Sequence, residues 1–361
     1  MSPKLGQGTK MPRLRTEDAV AAPFPLPPLA EQHRIVARVD ELMAFCDQIE
    51  AARARREATR DRLAAASLAL LNQPTPDPQT LHAHAAFALE HLGAITARPD
   101  QIKALRQTIL NLAVRGKLVP QDPSDEPAAE LLERIKEEKG QPIREKRTKR
   151  DETLVEFDQN DLPLKSGWVL TRMSMVSRRI HYGFTASANA ALKEVRMLRI
   201  TDIQDNSVDW LNVPGCVINK ENVNQYKLEK GDILIARTGG TIGKTFLVRD
   251  IPVTAVFASY LIRIQGTKYV FDEYLKCFLE SPLYWEQLRA GTRGTGQPNV
   301  NGQTLGNLIL PLPPLAEQHR IVARVDELMA LCDRLEASLV EGEATRRRLL
   351  DAVLHGTLGS G

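Results

Sequence analysis

Residues 25–44 read PLPPLAEQHRIVARVDELMA, and residues 311–330 read the same, letter for letter. Twenty identical residues at so long a separation mark a duplicated unit. The likeness runs on without a gap in both directions: Gly8-Thr9 answers Gly294-Thr295, Pro12 answers Pro298, Cys46 answers Cys332, and Glu57-Ala58-Thr59-Arg60 answers Glu343-Ala344-Thr345-Arg346. The chain therefore reads as one full repeat plus the tail of another, a frame at each end with cargo between.

Within each copy the local chemistry predicts a helix. Pro27-Pro28 before Leu29-Ala30-Glu31-Gln32 suits a helix start, because proline is tolerated in the first turn and an early glutamate faces the positive end of the dipole. Ile35, Val39, Leu42, Cys46 and Ile49 then recur with coiled-coil spacing, as do Ile321, Val325, Leu328, Cys332, Leu335 and Leu339. That pattern predicts a seam with Cys46 and Cys332 in a packed core. The first helix is expected to run to about Leu71, where NQPTPDP at 72–78 breaks it, which makes a rod of roughly 60 Å. A second helical stretch over 81–118, with Ile102, Leu105, Ile109 and Leu112 on one face, is expected to return as an antiparallel partner.

Beyond it lie a short helix, AAELLERIKEEK at 128–139, and a charged linker at 140–151 that carries Arg144, Lys146, Arg147, Lys149 and Arg150. From about 162 the texture changes to short β-type runs between Gly, Asn, Asp and Pro, followed by a helix over 272–288. The expected organisation is an N-terminal tail (1–24), a helical region (25–127), a short helix and linker (128–154), a compact α/β domain (155–310) and a second helical region (311–361). The fold class is α+β: a globular α/β domain flanked by long antiparallel coiled-coil helices.

Composition is that of an ordinary globular protein, 43% hydrophobic and 26% charged, long enough at 361 residues for two or three units. No apolar run approaches the roughly 18 to 20 residues of a membrane span, and MSPKLGQGTK lacks a signal-peptide stretch, so the expected address is cytoplasmic, with no membrane partner. The four cysteines stand apart without CxxC pairing, which suggests neither a zinc site nor a disulfide framework. A net charge of +3 is too mild to announce nucleic-acid binding in bulk; any DNA contact must come from local patches.

Three loops supply such patches. TGGTIGKT at 238–245 lacks the first glycine of a phosphate-binding P-loop, Thr238 standing in its place, and reads as a glycine-bearing hairpin whose Arg237, Thr238 and Lys244 can meet a DNA phosphate or base edge. In GTRGTGQPNVN at 291–301, glycines permit close backbone approach, while Arg293, Gln297, Asn299 and Asn301 are side chains suited to bidentate pairs with guanine and adenine. RRIHYGFT at 178–185 reads as a surface turn that sets Arg178 and Arg179 beside Tyr182 and Thr185. Gln204, in a Gln-Asp-Asn turn, is a further base reader. No constellation for methyl transfer, cofactor binding or hydrolysis emerges: there is no Asn/Asp-Pro-Pro-aromatic tetrapeptide, no glycine-rich cofactor fingerprint and no HExxH. The chain reads as a recogniser without catalysis.

These features together resemble the specificity (S) subunits of type I restriction-modification systems. The likeness is carried by PLPPLAEQHRIV in both copies, LRQTILNLAVRGKLVPQDP from Leu105, LPLKSGWVL from Leu162, RITDI from Arg199, LEKGDILIARTGGTIGK from Leu228 and QPNVNGQTLGNLILPLPPLAEQ from Gln297. The resemblance implies a non-catalytic DNA reader. Its target-recognition domain would bind one half of a split double-stranded target, and its helical regions would set the gap and dock methyltransferase (M) subunits. A restriction (R) subunit would join, and S-adenosylmethionine would bind on M, with no cofactor on this chain. M docking is expected around Glu31, Arg34 and Arg38 and around Glu317, Arg320 and Arg324. The chain departs from the family pattern in carrying one complete recognition domain where two are usual, with residues 1–24 resembling the remnant tail of a first target-recognition domain. It therefore resembles a half-length form, for which self-association through the helical regions would present two inverted readers. The readings set against this are a disrupted copy, and a coiled-coil adaptor that binds something other than duplex DNA.

Overall fold

The computed structural model of the protein describes residues 25–73, 77–139, 164–291 and 300–358, with isolated positions before Pro25. Most of the tail at 1–24, the charged linker at 140–151 and loop residues 292–299 lie outside the described residues. The chain divides into two bodies, residues 1–61 and 62–361.

The first body is built on helix α1 (Leu29–Asn72), whose C-terminal turns belong to the second. The amides of Glu31 and Gln32 donate to the Pro28 carbonyl at 2.8 and 3.0 Å, so the proline pair launches the helix as expected. The predicted seam corrects the reading, however: Ile35, Val39, Leu42, Ile49 and Cys46 are all exposed. A heptad pattern specifies an apolar face; it does not supply the surface that covers it.

In the second body the predicted 81–118 stretch is three helices, α2 (Pro78–Glu90), α3 (Leu92–Ile95) and α4 (Pro99–Val114). Asp77 caps α2 by accepting from the amides of Gln79 and Thr80 at 3.0 Å. Pro99 forces a fresh start for α4, because the residue before it, Arg98, is held extended. The last turns of α1 (Ala64, Leu68, Leu71) pack with Ala88, Ile95 and Leu105, and Asn72 exchanges amide hydrogen bonds with Thr108 and Asn111. Helix α5 (Ala128–Glu138) buries Ala128, Leu131 and Ile135.

The α/β domain follows: β1 (Val169–Arg172), α6 (Met173–Val176), β2 (Ser177–Tyr182), β3 (Arg196–Leu198), β4 (Ile203–Gln204), β5 (Ser207–Val208), α7 (Lys220–Tyr226), β6 (Ile233–Ala236), β7 (Thr245–Leu247), β8 (Ala255–Phe257), β9 (Leu261–Gly266), α8 (Asp272–Glu280), α9 (Pro282–Gly291), α10 (Gly302–Asn307) and β10 (Ile309–Leu312), before the long helix α11 (Leu315–Leu358). Its centre is an antiparallel sheet in the order β2-β9-β6-β7, and ILIA of β6 is buried throughout. The segment 178–182, read from the sequence as a turn, is a strand paired to β9 with a bulge at its start. The predicted helix at 272–288 is interrupted at Ser281-Pro282. Strand β1 pairs β10, Val169 opposite Leu312, so the first residues of the second repeat close the domain on its own beginning.

Frame and cargo share one core. Ile102 and Ile109 of α4, Ile135, Ile233, Ile262, Tyr274, Phe278, and Ile321 and Val325 of α11 belong to a single buried cluster. Leu198, Trp210, Phe246 and Phe257 form a second. Helices α4 and α11 run antiparallel, since Arg106 pairs with Asp333 and Glu336, each at 2.8 Å, while Trp168, packed at Gly116 just beyond α4, donates its indole N–H to Glu317 Oε2 at 2.9 Å. The antiparallel helical pairing thus joins α4 to α11, where the sequence suggests a pairing of the 81–118 stretch with the first long helix. Among the described residues no helix is long and apolar enough to cross a membrane, and no cluster of His, Cys, Asp or Glu could hold a metal ion.

Candidate nucleic-acid interface

Alternation of strand direction gathers four segment ends at one end of the central sheet: β2 finishes at Tyr182, β6 leads to Arg237, β7 begins just after Lys244 and β9 begins just after Tyr260. Arg237 lies over the ring of Tyr182, its guanidinium carbon 4.7 Å from the centroid. The Tyr182 hydroxyl accepts from the Gly302 amide at 3.1 Å, and the Val300 amide donates to the Arg237 carbonyl at 3.1 Å. These bonds fasten the start of α10 to the sheet end. Asn301 caps α10, its side-chain oxygen accepting from Thr304 N at 2.8 Å. Half of its amide is therefore committed to local structure.

Backbone geometry makes the approach possible. At Gly183 a Cβ would stand 2.2 Å from the Ala258 carbonyl oxygen, so only glycine lets β2 leave the sheet against that strand. Gly243, at φ +77° and facing Leu288 and Trp285, closes the β6–β7 hairpin that the sequence predicted; a short 3-10 turn at Gly239–Thr241 forms its tip. Thr238 is half-buried and Lys244 exposed, while Thr185 is exposed just past the strand end.

The remaining expected contacts are placed elsewhere. Arg178 and Arg179 stand at the opposite end of β2. Both are exposed and, with Lys136 and Lys139 of the α5 end, line a recess of about 630 Å³. Gln204 flanks a tight β4–β5 turn in which Asp205 and Asn206 adopt φ of 47° and 57°, and it lines a second depression together with Lys244 and Arg106. Arg293, Gln297 and Asn299 lie outside the described residues. Sequence reasoning missed Tyr260, an exposed ring whose carbonyl holds the Arg237 amide, and Lys139, whose ammonium donates to the Ser174 carbonyl at 2.6 Å. An aromatic just before a buried strand was a legible signal for the first; nothing local marked the second.

Beneath the sheet end, Arg263 is buried and spends its guanidinium on Asp232 at 3.0 Å, the carbonyls of Lys227 and Gln225, and His181 Nε2 at 2.9 Å. Burial, reinforced by Arg263 and Arg179, pushes the His181 imidazole down to about 4. It is neutral at pH 7, with Nε2 accepting from Arg263 and Nδ1–H donating to the Tyr182 carbonyl. Burial, with the charges of Asp232 and Glu273, raises the Asp272 carboxyl to about 6.

The two repeat helices use one sequence differently. In α11, Glu317 is buried on Trp168, Gln318 accepts from the Phe271 amide at 2.8 Å, and Arg320 pairs with Asp125. The expectation that Glu317 faces a partner subunit is therefore corrected: its carboxylate is buried and holds the domain to its frame, while Arg320 is half-buried on Asp125. Arg324 is exposed and pairs with Glu327, as Arg38 does with Glu41. Glu31 and Arg34 are exposed.

Comparison with known proteins agrees on one family. Residues 192–341 match the type I restriction modification DNA specificity domain. The chain is 30% identical to the type I restriction enzyme EcoAI specificity subunit of Escherichia coli over 92% of its length, covering 57% of that protein. To the EcoEI specificity subunit of the same organism it is 28% identical over 93% of its length, covering 58%. The chain thus spans little more than half the length of these relatives. A solved chain from a type I R-M system, described for complex assembly and conformational transition, shares the fold at a TM-score of 0.52 and 20% identity, over 96% of this chain and 64% of that one.

Proposed function

We propose, from the premise that this chain carries the type I restriction-modification DNA specificity domain and is related along its length to specificity subunits, that it is a non-catalytic DNA reader recognising one half of a split duplex target. The observation that carries the reading is the convergence of Tyr182, Arg237, Thr238, Lys244 and the start of α10 at one end of the sheet. An arginine held over a ring is presented with little loss of side-chain freedom, the condition for reading a base edge in the groove. Arg178, Arg179, Lys136 and Lys139 supply a separate cationic surface suited to phosphates. Arg293, Gln297, Asn299 and Asn301, suited by residue type to guanine and adenine edges, are proposed as further contacts.

In this proposal S-adenosylmethionine binds a methyltransferase subunit rather than this chain, and methyltransferase and restriction subunits gather on exposed helical surface, Arg38 and Arg324 included. Two copies associated through their helices would present identical readers to an inverted target; a second domain from another chain would make the halves differ. The test is duplex binding by the chain together with its methyltransferase, across a salt series. We expect sequence-selective binding whose affinity falls linearly on a log–log salt plot, with a slope of about −0.9 per phosphate neutralised. Indifference to every duplex in a randomised pool would refute the reading.

A further inference from the structure

Backbone register carries a third side chain to the end of the sheet where Tyr182 and Arg237 meet. Strands β6 and β9 pair Ala236 with Leu261, and the ladder extends one step further, the Arg237 amide donating to the Tyr260 carbonyl at 3.1 Å. Alternation along both strands sends Ala236 and Leu261 into one buried cluster and Ile235 and Ile262 into the other. Arg237 and Tyr260 therefore leave the sheet on the Ile262 side, which is also the side of Tyr182, the residue opposite Ile262 in β2. The turn that carries Tyr260 is pinned on both flanks: the Ser259 amide donates to the Phe184 carbonyl at 3.0 Å, and the Leu261 amide to the Ala258 carbonyl at 2.9 Å.

Folding alone leaves two of these groups unsatisfied. Arg237 is half-buried over the Tyr182 ring, yet no acid among the described residues pairs with it, and its Nε is buried without a hydrogen-bond partner there. A cation drawn partly out of water without a counter-charge costs stability, a cost that the neighbouring Arg263 avoids by pairing with Asp232. Tyr260 is 63% exposed, and its ring and hydroxyl meet no aromatic, cationic or hydrogen-bonding partner among the described residues. The end of a guanidinium presents two parallel donors, and in the major groove only guanine answers with two acceptors on one base, O6 and N7. A ring face finds its match there in the C5-methyl group of thymine, which it meets by apolar contact.

We infer that Tyr260 is a specificity-determining residue: Arg237, held over Tyr182, reads a guanine, and the Tyr260 ring packs on the methyl group of a thymine in the adjacent base pair. The inference rests on the duplex-reading proposal above and adds to it the bases that the site selects. Residues opposite each other on a ladder stand about 5 Å apart, and base pairs rise by about 3.4 Å, a spacing that suits two side chains on successive pairs. A backbone phosphate also offers an arginine two acceptors, so the experiment must remove a base acceptor and leave every phosphate in place.

The full chain, together with its methyltransferase, is titrated with the duplex it selects from a randomised pool and with analogues of that duplex. Exchanging guanine for 7-deazaguanine removes N7 alone; binding should weaken about tenfold at one guanine, and Arg237→Lys, weaker on the parent duplex, should be indifferent to the exchange. Exchanging the thymine beside that guanine for deoxyuridine removes one methyl group and should weaken binding about fourfold. Tyr260→Ala should erase the deoxyuridine effect, whereas Tyr260→Phe, which keeps the ring face, should retain it. The analogue arms use the unaltered chain, so they hold whatever the variants do to folding. If no duplex is selected, both readings fail. If one is selected but tolerates 7-deazaguanine throughout, or deoxyuridine beside the sensitive guanine, or if Tyr260→Ala weakens all sequences alike, this inference alone falls.

Discussion

At the scale of single residues, Arg237 and Tyr182 form one device. Arg237→Ala should cost about 1–3 kcal/mol of discrimination at one base pair and little elsewhere. Tyr182→Phe keeps the ring under the guanidinium and gives up only the hydroxyl that anchors Gly302, so its loss should be the smaller, about 1 kcal/mol. Tyr182→Leu removes both supports and should approach the arginine deletion; competition binding against single-position target variants checks the order. His181 gives a pH signature. Its folded value of about 4 lies below the unfolded 6.5, so the unfolded chain takes up a proton first on acidification. Stability should therefore fall between about pH 6.5 and 4, by on the order of 2 kcal/mol. Asp272 works the other way: raised to about 6, it contributes stability that is full below its unfolded value and lost as pH climbs through 6. Denaturant midpoints against pH for the parent and His181→Gln should diverge on the acid limb.

At the scale of elements, the joint between β1 and α11 is the point where frame and domain depend on each other. The buried Glu317 carboxylate accepts one indole N–H, and its other oxygen has no hydrogen-bond partner among the described residues; burial raises its pKa. Trp168→Phe should leave that carboxylate unpaired and empty the space beside Gly116, costing about 2–4 kcal/mol in chemical denaturation at pH 7. Glu317→Gln retains an acceptor and discards the buried charge, so it should be near neutral or stabilising. Elements were also where the sequence was most and least legible. Proline pairs, heptad spacing and the buried ILIA run declared both long helices and the central strand. The 178–182 strand stayed hidden because Arg178, Arg179 and Tyr182 are exposed on a sheet edge, which removes the alternation that betrays a strand. The breaks at Arg98-Pro99 and Ser281-Pro282 were written in plain proline chemistry, but apolar periodicity ran across both and hid them.

At the scale of the whole molecule, composition could exclude catalytic motifs and a spanning helix, yet it could not tell which copy of a repeated helix would be covered. Burial is a property of what stands opposite, and the letters of the two copies are the same. Nor could it separate outward charges from fastening ones: Glu317 looked like a surface charge and is buried on Trp168, whereas Arg237 and Lys244 come together because strand order, not sequence distance, brings them to one end of the sheet. The pairing of β1 with β10 brings both ends of the α/β domain to one place beside the start of α11. Changes to the outward loops between those ends leave the joint itself intact, so the surface can be rebuilt while the frame keeps its register.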